Sequence, residues 1–488
     1  MKKTHRTHKP GSIPEMIAVA LPMVVSFSCD TFMTFTDRLF LSKFGSELMS
    51  AAMAGGITCF MLMSFVMGLI GYNTALVAQA LGAGQKHKCP QFITQALILI
   101  LLAYPLIIAG RPLIFRFFQF MDIPPAQLGP QMEYFSILLP GTIFALTRHG
   151  LSAFFSGIGR TKIVMFSSIG TMIVNVAANY ILIFGKFGCP EMGIKGAAFG
   201  TILGSIFGVV SLLIVYLSPK SRKEFATDHS WEFNLTAMKK LLRFGTPSGI
   251  EMFLNILAFD LLIMTFHAAG LVTAAAATIV FNWDMVSFVP LLGVEIGVTS
   301  LVGRYMGARD TQTAHTATLS GLKLGMAYSM IALIFFAGFP GLLVDVFRPE
   351  ASAGIFYEAR PLAITLVRLA SIYVLVQAMI AVFVGALRGA GDTLWTMCFT
   401  VAVHWILVPV LYVSMNYFKL PPEKAWLILI LTFVSLAGII YARYRGGKWK
   451  NIQVIDIDDA SQNPDLNTQK TAEAQALIHD DFHERGDL

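Results

Sequence analysis

The chain has 488 residues, of which 55% are hydrophobic and only 13% charged, with a formal net charge of +7. Apolar runs on that scale exceed what one soluble core can bury, and many reach the ~20 residues needed to cross a bilayer, so a soluble globular protein is excluded. The positive charge sits in short loops beside those runs, which reads as membrane topology and contact with anionic lipid rather than nucleic-acid binding.

The first ten residues, MKKTHRTHKP, resemble the basic start of a signal peptide. The apolar stretch after them is long, contains Asp30 and lacks a small-residue cleavage site, so it is expected to stay as the first span. Further spans are expected in order, giving 16–42, 49–80, 92–112, 131–157, 162–185, 194–217, 240–268, 273–304, 316–345, 361–387, 392–415 and 424–443, about twelve in all. Lys2, Lys3, Arg6 and Lys9, then Lys86, Lys88, Arg160, Lys162, the SPKSRKEF segment, Arg304, Arg309, Arg388 and RYRGGKWK all fall on one side. Basic loops are retained inside, so both termini are expected in the cytoplasm. After Lys450 the composition turns polar and acidic, as in a disordered tail. The expected organisation is a cytoplasmic segment 1–15, a lobe 16–217, a linker 218–239, a second lobe 240–445 and a tail 446–488. The 5 cysteines are scattered, with neither disulfide nor metal spacing.

NTALVAQALGAGQ (73–85) returns as VTSLVGRYMGARD (298–310), and the same offset of 225 aligns Pro22 with Pro247, Gly45 with Gly270, Gly68 with Gly293 and Gly82 with Gly307. SGIGRTK (156–162) returns as RGAGDTL (388–394) at an offset of 232. So many matches indicate a duplication. With six spans in each half, an even number, the halves are related by an axis along the membrane normal, an architecture found among transporters.

Polar residues inside the spans carry the chemistry. In CDTFMTFTDRLF, Asp30 and Asp37 are nearly two helical turns apart, on one face and ~10 Å from each other along the axis. A bare carboxylate costs several kcal/mol at bilayer depth, and it escapes that cost by binding a proton, a metal cation or a basic side chain. The first two outcomes make Asp37 a coupling residue; alternatively it snorkels to the interface beside Arg38. Asp30 could equally be a hydrogen-bonded structural acid. Thr171, Asn175 and Asn179 recur every four residues, a polar stripe suited to a cation or a titrating carboxylate, or to joining helices. In the second half, Glu251 lies one turn from Asn255, and Asp284 and Glu295 lie eleven residues apart on roughly one face. These acids either line a cavity or pair with Arg148, Lys323 or Arg368. Asp260 faces away from Glu251. His149, His267 and His404 read as packing residues more readily than as proton carriers. Phe, Met and Trp side chains with a few acids would suit large, flat organic cations. There is no G-x-x-x-x-G-K-[ST] phosphate loop for an internal ATP motor, no catalytic constellation at a membrane face and no repeated pore loop.

The stretches LPMVVSFSCDTFMTFTDRLFLSKFG, ALVAQALGAGQ, VNVAANYILIFGKFGCPEMGIKGAAFGT, FGTPSGIEMFLN, LVGRYMGARD and GALRGAGDT together resemble, in order, the multidrug and toxic compound extrusion (MATE) family and its NorM-like bacterial branch. The resemblance runs to about residue 445. It implies an all-α integral membrane fold of about twelve helices in two six-helix lobes related by a pseudo-two-fold axis. The implied activity is secondary antiport, exporting cationic amphiphilic organic compounds in exchange for inward H+ or Na+, with no other cofactor. The implied setting is a monomer in the bacterial inner membrane; an alternative in the same superfamily is a flippase for a lipid-linked precursor. On the family pattern Asp37 matches the first-helix aspartate, where Na+ is a possible ligand, and Asn175, Asn179 and Thr201 match its polar partners. Asn179 stands where some relatives have a second carboxylate, which weakens a Na+ site. NorM-like members carry Glu where this chain has Asn255 and Asp where it has Gln377. The second-lobe candidates are therefore Glu251, Asn255, Asp284, Glu295 and Gln377.

Overall fold

The computed structural model describes residues 8–120, 123–228, 230–348 and 354–455. Lys2, Lys3, Arg6 and the expected tail beyond residue 455 lie outside them. Among the described residues the regular structure is helical, without strands, as lipid requires of a chain that must satisfy its backbone within each segment. In order, the helices are α1 Ile13–Ser42, α2 Ser46–Gly71, α3 Asn73–Gly82, α4 Cys89–Ala109, α5 Arg111–Phe120, α6 Pro125–Gly157, α7 Thr161–Phe184 and α8 Ile194–Tyr216. There follow α9 Pro219–Phe225, α10 Leu235–Ala268, α11 Leu271–Gly307, α12 Thr311–Gly338, α13 Pro340–Asp345, α14 Gly354–Ala390, α15 Thr393–Asn416 and α16 Pro422–Arg445.

Each expected span meets a helix, and 11 helical stretches among the described residues are long and apolar enough to cross a membrane. The remaining span, α6, has 33 residues; Gln127, Gln131, Glu133, Arg148 and His149 dilute its apolar character. Three expected spans are interrupted, 49–80 at Tyr72, 92–112 at Gly110 and 316–345 at Phe339, where Pro340 opens a new short helix. Several helices outrun their expected ends, because polar turns continue a helix beyond the apolar stretch that hydropathy detects.

The described residues pack as two compact units, one drawn from positions 25–250 and the other from positions up to 24 together with those from 251 onward. This partition is shifted from the sequence boundaries at 16 and 240, and the shift falls in the first helix of each repeat. Pro22 in α1 and Pro247 in α10 interrupt the helical ladder just before the division. The start of α1 belongs to the core of the second unit: Met16, Val19 and Ala20 are fully buried with Val298, Leu301 and Phe383. Glu15, expected in a cytoplasmic segment, is buried there, accepting from the Tyr305 hydroxyl at 2.8 Å and from the Gly11 amide at 2.6 Å. The start of α10 belongs to the first unit, where Phe244 stacks on Tyr72 at 6.0 Å.

The repeat is visible in atomic detail within each unit. A Cβ on Gly157 would sit 2.8 Å from the Thr74 carbonyl oxygen, and one on Gly389 would sit 2.7 Å from that of Thr299. The same helix crossing is thus built twice, with a glycine at each contact. Gly84 ends its helix in a left-handed turn at φ 75°, and its repeat partner Arg309 adopts φ 58°. The second copy keeps the turn without the glycine, at a cost of about 1 kcal/mol.

Candidate functional site

In the first unit, α7 and α8 lie antiparallel and in close contact. The polar stripe of α7 meets a glycine stripe on α8: added Cβ atoms at Gly208, Gly204 and Gly200 would reach Thr171 Oγ1 at 2.7 Å, Asn175 Cβ at 3.0 Å and Asn179 Oδ1 at 1.8 Å. Glycine every four residues therefore admits three polar side chains into the helix contact. Those glycines were legible only as a spacing of four in GAAFGTILGSIFG, and sequence reasoning did not assign them.

Asp37 of α1 reaches the end of this stripe. Asn179 Nδ2 donates to its Oδ1 and Thr201 Oγ1 donates to its Oδ2 at 3.3 Å. Asn175 and Asn179 are buried, with Asn179 Nδ2 also 3.5 Å from Asn175 Oδ1. Asn179 Oδ1 is buried without a hydrogen-bond partner, and it points at the space that Gly200 leaves open. Both bonds to Asp37 come from neutral groups, and among the described residues no Lys or Arg nitrogen, Arg38 included, reaches ion-pair distance of it. The arrangement gathers a carboxylate, two amide oxygens and a hydroxyl, oxygen donors that can take a proton or a hard monovalent cation.

Asp30 is settled differently. Arg148 Nη2 of α6 lies 3.2 Å from Asp30 Oδ1, with Asp30 37% and Arg148 21% exposed. Arg148, offered above as a partner for Asp284 or Glu295, is thus engaged within the first unit.

In the second unit the candidates separate into two groups. Arg388 of α14 bridges two carboxylates, with Nη2 at 3.0 Å from Glu251 Oε2 and Nη1 at 2.5 Å from Glu295 Oε1. Thr400 Oγ1 of α15 donates to Glu251 Oε1 at 2.9 Å. Neither Lys323 nor Arg368 is the cation; Arg388 was read only as a cytoplasmic loop charge. Asp284 lies in the other group, where Oδ1 accepts from the Tyr373 hydroxyl and from Gln377 Nε2 at 3.0 Å. Asp284 and Glu295, expected on one face, therefore join different partners. Asn255 joins neither group, its buried Oδ1 having no hydrogen-bond partner. Among the described residues no three His, Cys, Asp or Glu side chains gather as metal ligands.

A family model, MatE, matches residues 22–181 and 247–413, so its two segments begin at the repeat-related prolines. The chain is 26% identical over 451 residues to the "Probable multidrug resistance protein NorM" of Thermotoga maritima, covering 90% of this chain and 94% of that one. It is also 26% identical over 384 residues to the protein of the same name in Rhizobium meliloti, with coverage of 76% and 79%. A crystal structure of MATE in complex with MaL6 superposes with TM-score 0.82 at 20% identity, covering 91% of this chain and 98% of that one. A MOP superfamily transporter from Pyrococcus furiosus, described as having a binding pocket whose reverse polarity suggests a different function, matches with TM-score 0.82 and 20% identity over 92% of this chain and 100% of that one. At that identity the structural likeness shows the fold alone.

Proposed function

Because the chain belongs to the MatE family of multi-pass membrane transporters, we propose that it is a secondary antiporter exporting cationic amphiphilic organic compounds in exchange for inward H+ or Na+. Multidrug efflux is the activity of the family, and its members are transport proteins rather than enzymes. The observation that carries the coupling is Asp37, a carboxylate in the first unit held by an amide and a hydroxyl instead of a cation. Such a group changes charge without breaking an ion pair.

A proton or Na+ entering from outside binds Asp37 and removes its charge. The Asn179 and Thr201 donors then lose their ionic acceptor, the first-unit helices rearrange and affinity for a cationic compound falls, so the compound leaves outward. The deprotonated carboxylate afterwards restores the site for cytoplasmic substrate. Inverting a two-state population from 1:99 to 99:1 takes about 5.5 kcal/mol of differential binding, the same scale as the several kcal/mol that separate a charged from a neutral carboxyl at bilayer depth. The transporter works as a monomer in the bacterial inner membrane with both termini in the cytoplasm. A flippase of lipid-linked precursors is the second reading. A basic recognition surface would favour it, and in the first unit Arg148 is already matched by Asp30.

The deciding measurement is efflux of a fluorescent organic cation from proteoliposomes under an imposed pH or Na+ gradient. Gradient-dependent movement in the native protein and its loss in Asp37→Asn are expected. Undiminished efflux by that variant refutes the role of Asp37, and transport of a lipid pyrophosphate in place of the cation refutes the antiport reading.

A further inference from the structure

In each unit the third span of the repeat is followed by a short helix with an exposed apolar side. In the first unit α4 has 21 residues, ~32 Å of helix, which crosses the hydrocarbon by itself. It starts beside Lys86 and Lys88, so α5 stands at the membrane face opposite those basic residues. Pro112 cannot donate to the helical ladder, and α5 is set off from α4 at Gly110.

The sequence of α5, RPLIFRFFQF, divides its surface into three sectors. Phe118 is buried and packs edge-on against Phe135 at 5.8 Å, with Phe115 at 6.2 Å from the same ring. Leu113, Phe117 and Phe120 are 71%, 50% and 86% exposed, and helical spacing puts them within about 60° of one another. Arg116 and Gln119 are exposed on the sector beside them. Arg111 donates to Ser136 Oγ at 3.1 Å and lies over Phe115 at 5.0 Å, and the helix contains no acid. Leu101, Leu102 and Leu106 near the end of α4 are exposed as well, so the apolar surface of the span runs on into α5. A helix with one side on protein, one apolar and one cationic fits the boundary between acyl chains and headgroups.

The second unit repeats the device. Leu342 and Val346, 68% and 69% exposed, stand at an offset of 229 from Leu113 and Phe117. From the other side α13 is fixed to its unit: Val344 is buried, Trp283 Nε1 donates to the Leu343 carbonyl oxygen at 2.9 Å, and Arg360 holds both oxygens of Asp345 at 2.7 Å. With Asp345 matched, the cation beside the apolar pair is exposed Arg348, which lies over Tyr357 at 5.2 Å.

We propose that α5 and α13 are membrane-interface anchors, each laying its apolar residues into the leaflet opposite the basic loops while Arg116 and Arg348 engage phospholipid phosphates. A guanidinium presents a planar fork of donors suited to phosphate. The third span of each unit is thereby held in depth at the end where no basic loop retains it.

The test is quenching of a fluorophore on single cysteines, with Cys189 and Cys398 changed to serine, in protein reconstituted into phosphatidylcholine vesicles containing about one quarter phosphatidylglycerol. Labels at Phe117→Cys and Val346→Cys should be quenched by acyl-brominated lipid and spared by aqueous iodide; a label at Gln119→Cys should show the reverse order. When phosphatidylglycerol alone carries the bromine, quenching at 117 reports its local enrichment. Arg116→Gln should lower that enrichment about fivefold, the effect of one basic side chain at an anionic surface. If Phe117→Cys fails to insert, Leu113→Cys reports the same sector. Iodide quenching at 117 and 346 equal to that at 119 marks a water-facing wall, and self-quenching that rises with protein density marks a contact between copies. Either result overturns the proposal, as does enrichment indifferent to Arg116→Gln. No drug or ion movement is measured, so the antiport reading stands or falls by its own assay.

Discussion

Asp37 in the first unit and Glu251 with Glu295 in the second are all carboxylates within membrane-length helices, yet their neighbours assign them different work. Asp37 is held by an amide and a hydroxyl; the two glutamates are held by one guanidinium at 3.0 and 2.5 Å. A neutral cradle tolerates both charge states of its acid, whereas a buried ion pair is destabilised when either member is neutralised. The lesson is that depth in the membrane makes an acid costly, and the partner decides whether that cost becomes a switch or a strut.

The sharpest way to break this contrast is Asp37→Asn. Gradient-driven efflux should fall to background while thermal stability stays within about 1 kcal/mol, since an amide replaces a group already bonded to neutral partners. Arg388→Met should do the reverse. It strands two acids and should cost about 3–5 kcal/mol, read as a lower unfolding temperature, and adding Glu251→Gln and Glu295→Gln should recover most of it. Gly200→Ala tests the cradle from the opposite helix. Its Cβ would fall 1.8 Å from Asn179 Oδ1, so Asn179 must leave Asp37, with a stability loss of about 1–3 kcal/mol and efflux reduced roughly tenfold. The half-exposed pair marks the low end: Asp30→Asn should change stability by about 1 kcal/mol or less, and less still at high salt. Smallest and of opposite sign, Arg309→Gly should raise stability by up to about 1 kcal/mol by relieving the left-handed backbone that Gly84 accommodates freely in the first copy.

Legibility differed from residue to residue. Asp37 and the Asn175–Asn179 stripe were conspicuous as polar groups in apolar runs, and spacing put the two amides on one face; Thr201, and the grouping of all four, came only from the resemblance to the family. Gly200, Gly204 and Gly208 were invisible as site residues, since a glycine announces itself only through what approaches it. Arg388 was misread as a loop charge because it lies near a helix end, where hydropathy cannot tell a snorkelling cation from one turned inward. The pairing of Asp30 with Arg148 joins residues 118 positions apart, and no periodicity within one helix can register it.

The sequence by itself determined the solvent, the helices and the duplication, because hydrophobic length, breaker residues and a repeated offset are properties of the chain read along one dimension. Only the tertiary structure decided which acid meets a cation and which meets a neutral donor. It also moved the start of α1 into the second unit and the start of α10 into the first. Those outcomes depend on which helices touch and how closely, and distances between segments remote in sequence are set by packing that no local pattern encodes.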